Sequence, residues 1–146
     1  MKQIIALCLL LITPLPVWAQ PADMNLYLML WPEGEENAPT ATQIIEFGEG
    51  MINFFTSGDV DAESDLDNAV VATPEQIALL SAAVSAVIKS VSTEMGVQSQ
   101  GHTIAVEWSV SNATTFERGS MNLPIEALPP EILAVQDQIF GARLAP

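Results

Sequence analysis

The chain of 146 residues contains a single cysteine, Cys8, a single histidine, His102, a single tyrosine, Tyr27, and only four basic residues against 18 acidic ones. Each scarcity excludes something. One cysteine cannot close an internal disulfide, so the commonest covalent staple of extracytoplasmic proteins is not available. One histidine cannot build the usual catalytic zinc site, which takes two or three nitrogen or sulfur ligands. Four cations cannot supply the basic face that nucleic acid requires, and the formal net charge of −14 repels anionic membrane surfaces as well. There is no Gly-x-Ser-x-Gly elbow for a serine nucleophile, and Ser85 precedes Lys89 by four positions rather than the three of a Ser-x-x-Lys pair. What an acidic excess permits is solubility, cation binding and steering toward basic partners.

The N-terminus has the parts of a secretory signal peptide. Met1-Lys2-Gln3 carries one positive charge, Ile4 to Ile12 is an apolar core, Pro14 and Pro16 break it, and Val17 and Ala19 stand third and first before a cleavage point. The apolar run is shorter than the roughly 20 residues a membrane-spanning helix needs. Cys8 lies inside the core after Leu7, not after a small residue at its end, which disfavours lipidation. The expectation is cleavage after Ala19, a mature chain from Gln20 to Pro146, and a periplasmic or extracellular location. That mature chain has 146 − 19 = 127 residues and a formal charge of 3 − 18 = −15, because Lys2 leaves and every acid stays. Its length suits one domain burying about two thirds of the unfolded surface. Asn112-Ala113-Thr114 matches the N-glycosylation acceptor, a pattern without meaning in a bacterial periplasm.

Hydrophobic periodicity predicts an α+β fold. Asn25 to Trp31 alternates as a strand with Leu26, Leu28 and Leu30 on one face and Tyr27, Met29 and Trp31 on the other, and two apolar faces indicate a central position. Thr42 to Ser57 carries apolar residues at helical spacing, yet Gly48-Glu49-Gly50 favours a hairpin, since each glycine costs a helix interior about 1 kcal/mol relative to alanine. Ala69 to Ala72 suits a short strand. Thr73, Pro74 and Gln76 form a helix start, and Ile77, Leu80, Val84, Val87, Val91 and Met95 recur at three and four residue steps up to Gly96, predicting a long helix over 74–95. Its scarcity of charge suggests cover on more than one side. Thr103 to Ser111 alternates with Ile104, Val106, Trp108 and Val110 inward and the intervening residues outward. Thr114 to Asn122 is expected to return antiparallel, with Glu107 opposite Arg118 if the turn has two residues. Pro129-Pro130 opens a short C-terminal helix over 130–140. The whole is a small antiparallel sheet of hairpins packed against one long and one short helix.

Few patterns carry chemistry. Asp59, Asp61, Glu63, Asp65 and Asp67 alternate as in a calcium loop, but Ser64 stands where the sharp-turn glycine belongs and Val70 where the bidentate acid belongs, so only weak calcium binding is expected. Glu46 with Glu49, or Glu107 with Glu117, are acid pairs of the kind glycosidases use, in a chain where acid pairs are unavoidable. Tyr27, Met29 and Trp31 form a candidate recognition surface, because aromatic and methionine side chains concentrate in interface cores; packing beneath the long helix is the alternative. The functional expectation is a non-enzymatic exported domain that binds another protein as an accessory. The alternatives are an inhibitor or chaperone of an exported enzyme and a weak calcium-binding protein, with the partner and the oligomeric state left open.

Overall fold

A computed structural model describes residues 22–32, 38–57, 69–91 and 101–146. Six antiparallel strands form one sheet: β1 (Asp23–Trp31), β2 (Ala41–Gly48), β3 (Met51–Ser57), β4 (Val70–Val71), β5 (Thr103–Ser111) and β6 (Phe116–Pro124), in the spatial order β4-β3-β2-β1-β5-β6. Among the described residues the fold is completed by α1 (Pro74–Val91), a 3-10 turn over Ile125–Ala127, and α2, which runs as an α-helix over Pro130–Val135 and continues as a π-helical turn over Gln136–Phe140. The architecture is α+β.

The double apolar pattern of β1 has the expected meaning, for it lies in the middle of the sheet between β2 and β5. Residues 42–57 form the hairpin. Gly48 pairs with Met51, and the two residues between them are both left-handed, Glu49 at φ 51° and Gly50 at φ 77°. A two-residue turn with both residues at positive φ matches the right-handed twist of the flanking strands. The start of α1 is a reciprocal capping box: the Thr73 N–H donates to Gln76 Oε1 at 2.9 Å, and the Gln76 N–H donates to Thr73 Oγ1 at 3.2 Å. The helix is described as far as Val91; the expected extension to residue 95 lies outside the described residues. On its outer side Ser81, Ala82 and Ser85 are exposed, and no described residue gives them a second cover.

One face of the sheet meets the helices. Met24, Leu26, Leu28 and Leu30 of β1 align with Phe47 and Ile45 of β2 and with Trp108, Val106 and Ile104 of β5, and Leu80, Ala83, Val84 and Val87 of α1 and Ile132 and Val135 of α2 close over them. Phe140 meets Phe54 edge to face, with ring centroids 6.2 Å apart. Two glutamines interrupt this core. Gln136, fully buried, donates from Nε2 to Gln43 Oε1 at 2.9 Å, and Gln43 donates from Nε2 to the carbonyl of Ala142 at 2.7 Å, tying the C-terminal segment to β2.

The β5–β6 hairpin departs from the expected register. Its connection has four residues, not two, because the Asn112 side chain organises it: Oδ1 accepts the N–H groups of Thr114 and Thr115 at 2.9 and 3.0 Å. The longer connection moves β6 by two residues, so Arg118 lies opposite Ser109 and Glu107 opposite Ser120. Gly119 is required in this register. A Cβ there would stand 2.8 Å from Cζ2 of Trp108, whose ring crosses the glycine. Gly119→Ala is expected to destabilise the domain by about 1–3 kcal/mol through this overlap, measurable by denaturant unfolding.

Candidate functional site: the sheet face opposite the helices

Because side chains alternate along a strand, the register fixes which residues share the face turned away from the helices. Across β3, β2, β1, β5 and β6, one row reads Asn53, Glu46, Asn25, Ser109 and Arg118, and the next reads Phe55, Ile44, Tyr27, Glu107 and Ser120. A third row aligns Thr42, Met29, Ala105 and Asn122, and Trp31 and Thr103 follow. Among the described residues no helix covers this face. Tyr27, Met29 and Trp31 therefore do not pack beneath α1. They lie half-buried on the open side, with Ile44 and Phe55 beside them, while the small residues Thr42 and Ala105 are buried between the large ones.

An antiparallel sheet with one solvated face ordinarily alternates apolar-in and polar-out. This one departs from the rule on β1 to β3, where Tyr27, Met29, Trp31, Ile44 and Phe55 face outward, and at Phe116 on β6. The result is an apolar half formed by Met29, Trp31, Ile44 and Phe55 and a polar half formed by Glu107, Ser109, Arg118, Ser120 and Asn122.

Tyr27 stands at the boundary. Its hydroxyl donates to Glu46 Oε1 at 2.8 Å, and Glu107 is its direct neighbour on β5. Burial, the hydrogen bond to Glu46 and the negative charges of Glu46 and Glu107 all oppose ionisation and push the phenol up to about 12. Since Tyr27 is the only tyrosine, the tyrosinate absorbance of the folded protein is expected to titrate as one group near that value, and near the ordinary 10.0 when unfolded. The folded state then holds the proton that the unfolded state has lost, so this group's contribution to stability is complete below pH 10 and declines up to about pH 12. Glu46→Gln should lower the midpoint only partway, because burial is the largest cause. Next to Tyr27, Asn25 donates to Ser109 Oγ at 3.1 Å, and a shallow depression of about 560 Å³ opens between Tyr27, Glu107, Arg118 and Phe116.

The other sequence candidates separate. Glu107 and Glu117 fall on opposite faces of the sheet, since Glu107 pairs with Ser120 and Glu117 with Val110, which removes that pair as a two-carboxylate centre. Glu46 is held by Tyr27 whereas Glu49 occupies the exposed hairpin turn. His102 is half-buried just before β5. Asp59, Asp61, Glu63, Asp65 and Asp67 lie outside the described residues, and among the described residues no group of three or more His, Cys, Asp or Glu side chains is arranged to hold a metal. No described helix is long and apolar enough to cross a membrane. Ile44, Phe55 and Phe116 belong to the open face but were not singled out by sequence; the alternation within 42–57 carried the first two, once the hairpin is preferred to a helix.

No protein-family model matches this chain, and no curated protein or solved structure matches it either.

Proposed function

We propose that this chain is an exported, non-enzymatic domain that binds another protein through the face of its sheet opposite the helices, with Tyr27, Met29 and Trp31 at the centre of the contact. One observation carries the reading: the face that no described helix covers presents tyrosine, methionine, tryptophan, isoleucine and phenylalanine side chains, half-buried and contiguous across three strands, where solvent alone would favour polar residues. Aromatic and methionine side chains are the ones concentrated in interface cores, and the polar half of the face suits the wetter rim of such a contact. The acidic surface steers association toward basic partners. Export rests on the N-terminal pattern, with the mature chain beginning at Gln20. An inhibitor or chaperone of an exported enzyme is the narrower form of the same proposal.

The test uses the chain expressed with a C-terminal tag, recovered from the envelope and culture fluid and identified by mass spectrometry. The expected result is a mature N-terminus at Gln20 and one exported protein retained in near-equal amount. An intact N-terminus at Met1 would remove the export component. Retention that is unchanged when Met29 is replaced by Lys would remove the proposed face.

A further inference from the structure

One edge strand of the sheet, β6, has no described strand on its outer side. Its nine residues pair with β5 on the other. Which backbone groups face outward follows from the end of the hairpin. The Asn112 N–H donates to the Thr115 carbonyl at 3.0 Å, so this pair is of the hydrogen-bonded kind. Hydrogen-bonded and non-hydrogen-bonded pairs alternate along an antiparallel ladder. The pairs Ser111/Phe116, Ser109/Arg118, Glu107/Ser120 and Ala105/Asn122 are therefore non-hydrogen-bonded, and the N–H and C=O groups of Phe116, Arg118, Ser120 and Asn122 point away from β5. Pro124, which has no N–H to give β5, falls at an outward position as this alternation requires. The side chains at these positions lie on the face opposite the helices, and Phe116 among them is 64% exposed, an unusual state for a phenylalanine.

The geometry points to a second copy of this chain as the occupant of that edge, with β6 pairing antiparallel to β6 of the second copy about a two-fold axis perpendicular to the sheet. Residues directly opposite each other in such a pair share a face. Of the possible two-fold registers, only the one centred on Ser120 pairs the strand over its whole length, because Ser120 is the midpoint of Phe116–Pro124. In that register Ser120 meets Ser120, Arg118 meets Asn122 and Phe116 meets Pro124 of the second copy. Every outward N–H of the strand then finds a carbonyl. Centring on Arg118 would instead oppose two guanidinium groups, and it would shorten the overlap. On the helix side of the same register Gly119 meets Met121 and Glu117 meets Leu123, so neither of the two charges that guard this edge faces a like charge. The exposed Phe116 ring gains the Pro124 ring as cover. The product is a continuous twelve-stranded sheet with both helix layers on one side and both open faces on the other.

This dimer is independent of the partner-binding proposal, since β6 carries the polar half of the open face and the apolar half on β1 to β3 stays uncovered. The contact is narrow, so exchange between monomer and dimer is expected in the micromolar range, and the net negative charge makes salt favour association by screening.

Sedimentation of the purified chain across that range tests it, together with Ser120→Pro, Phe116→Asp and a disulfide trap. Proline is tolerated at an edge position whose N–H faces solvent, so Ser120→Pro leaves the β5 ladder intact while blocking the two-fold centre. The trap is Ser120→Cys in a chain with Cys8→Ala. Hydrogen-bonded antiparallel pairs hold Cα atoms about 5.5 Å apart, within the roughly 4.4–6.8 Å that disulfides span. The expected results are a wild-type dimer that tightens with salt, at least tenfold weaker dimerisation in Ser120→Pro and in Phe116→Asp with unchanged circular dichroism, and a covalent dimer of the Ser120→Cys chain on mild oxidation. A wild-type chain that stays monomeric to hundreds of micromolar, or a dimer that survives both edge substitutions, would overturn the proposal. So would a failure of Ser120→Cys to cross-link under conditions where the wild-type chain is dimeric.

Discussion

Leu28→Ala is expected to lower the stability of the domain by about 2–5 kcal/mol, the largest loss from any single side chain considered. Leu28 is 1% exposed at the centre of the sheet, on the middle strand, between Gln43 and Val106 on its neighbours. Truncation there removes an isopropyl group from the core and leaves a cavity that cannot collapse readily, because strands on both sides and helices above fix its walls. The buried glutamine pair adds to the cost of loosening this region, for Gln43 is the direct neighbour of Leu28 and its amide is satisfied only while Gln136 and the Ala142 carbonyl stay in place. Without disulfides to limit the unfolded chain, the whole loss should appear as a lower denaturant midpoint with an unchanged slope.

One residue further on, the opposite outcome is expected. Met29→Lys should change stability by no more than about 1 kcal/mol, since the side chain is half-buried on a face that the helices leave open. Its effect on partner binding should be large. A charge placed among Tyr27, Trp31, Ile44 and Phe55 is desolvated when a partner covers them, and central contacts of this kind contribute about 2 kcal/mol or more, a loss of roughly thirtyfold in affinity. Trp31→Ala should act in the same direction. Ser85→Lys, on the exposed outer side of α1, should leave both stability and binding unaltered, so the three variants distinguish the two faces of the domain from each other.

The contrast between Leu28 and Met29 also marks how far the sequence can be read. That Asn25 to Trp31 is an interior strand is legible from alternation with apolar residues on both sides. Which side the helices take is not, because both sets are apolar, and the choice is made by Gln43, Ile45 and Phe47 on β2 and Ile104, Val106 and Trp108 on β5. Local chemistry was a sound guide where it acts over a few residues: Thr73 and Gln76 start α1 and Glu49-Gly50 turns the first hairpin, as their side chains and backbone freedom require. It failed at Asn112, whose side chain holds a four-residue connection open and so displaces the Glu107–Arg118 pairing that a tight turn would have made. Gln43 and Gln136 are not legible in the sequence for a different reason. Each is a polar residue on an otherwise apolar face, bonded to a partner 93 positions away, and nothing near either one in the chain announces that contact. The face opposite the helices was half legible: Tyr27, Met29 and Trp31 were visible as a set, but Phe55 and Ile44 join them only through the strand register, and the open edge of β6 exists only in the folded sheet.

The most direct test of the binding face is amide hydrogen exchange on the captured complex compared with the free chain, read by mass spectrometry over the strands and helices together. If the account holds, protection on binding concentrates in residues 25–31, 42–48 and 51–57, and peptides from α1 exchange as they do in the free chain. Protection that instead concentrates on α1 and α2, with the strand peptides unchanged, would contradict it and place the partner on the helical side.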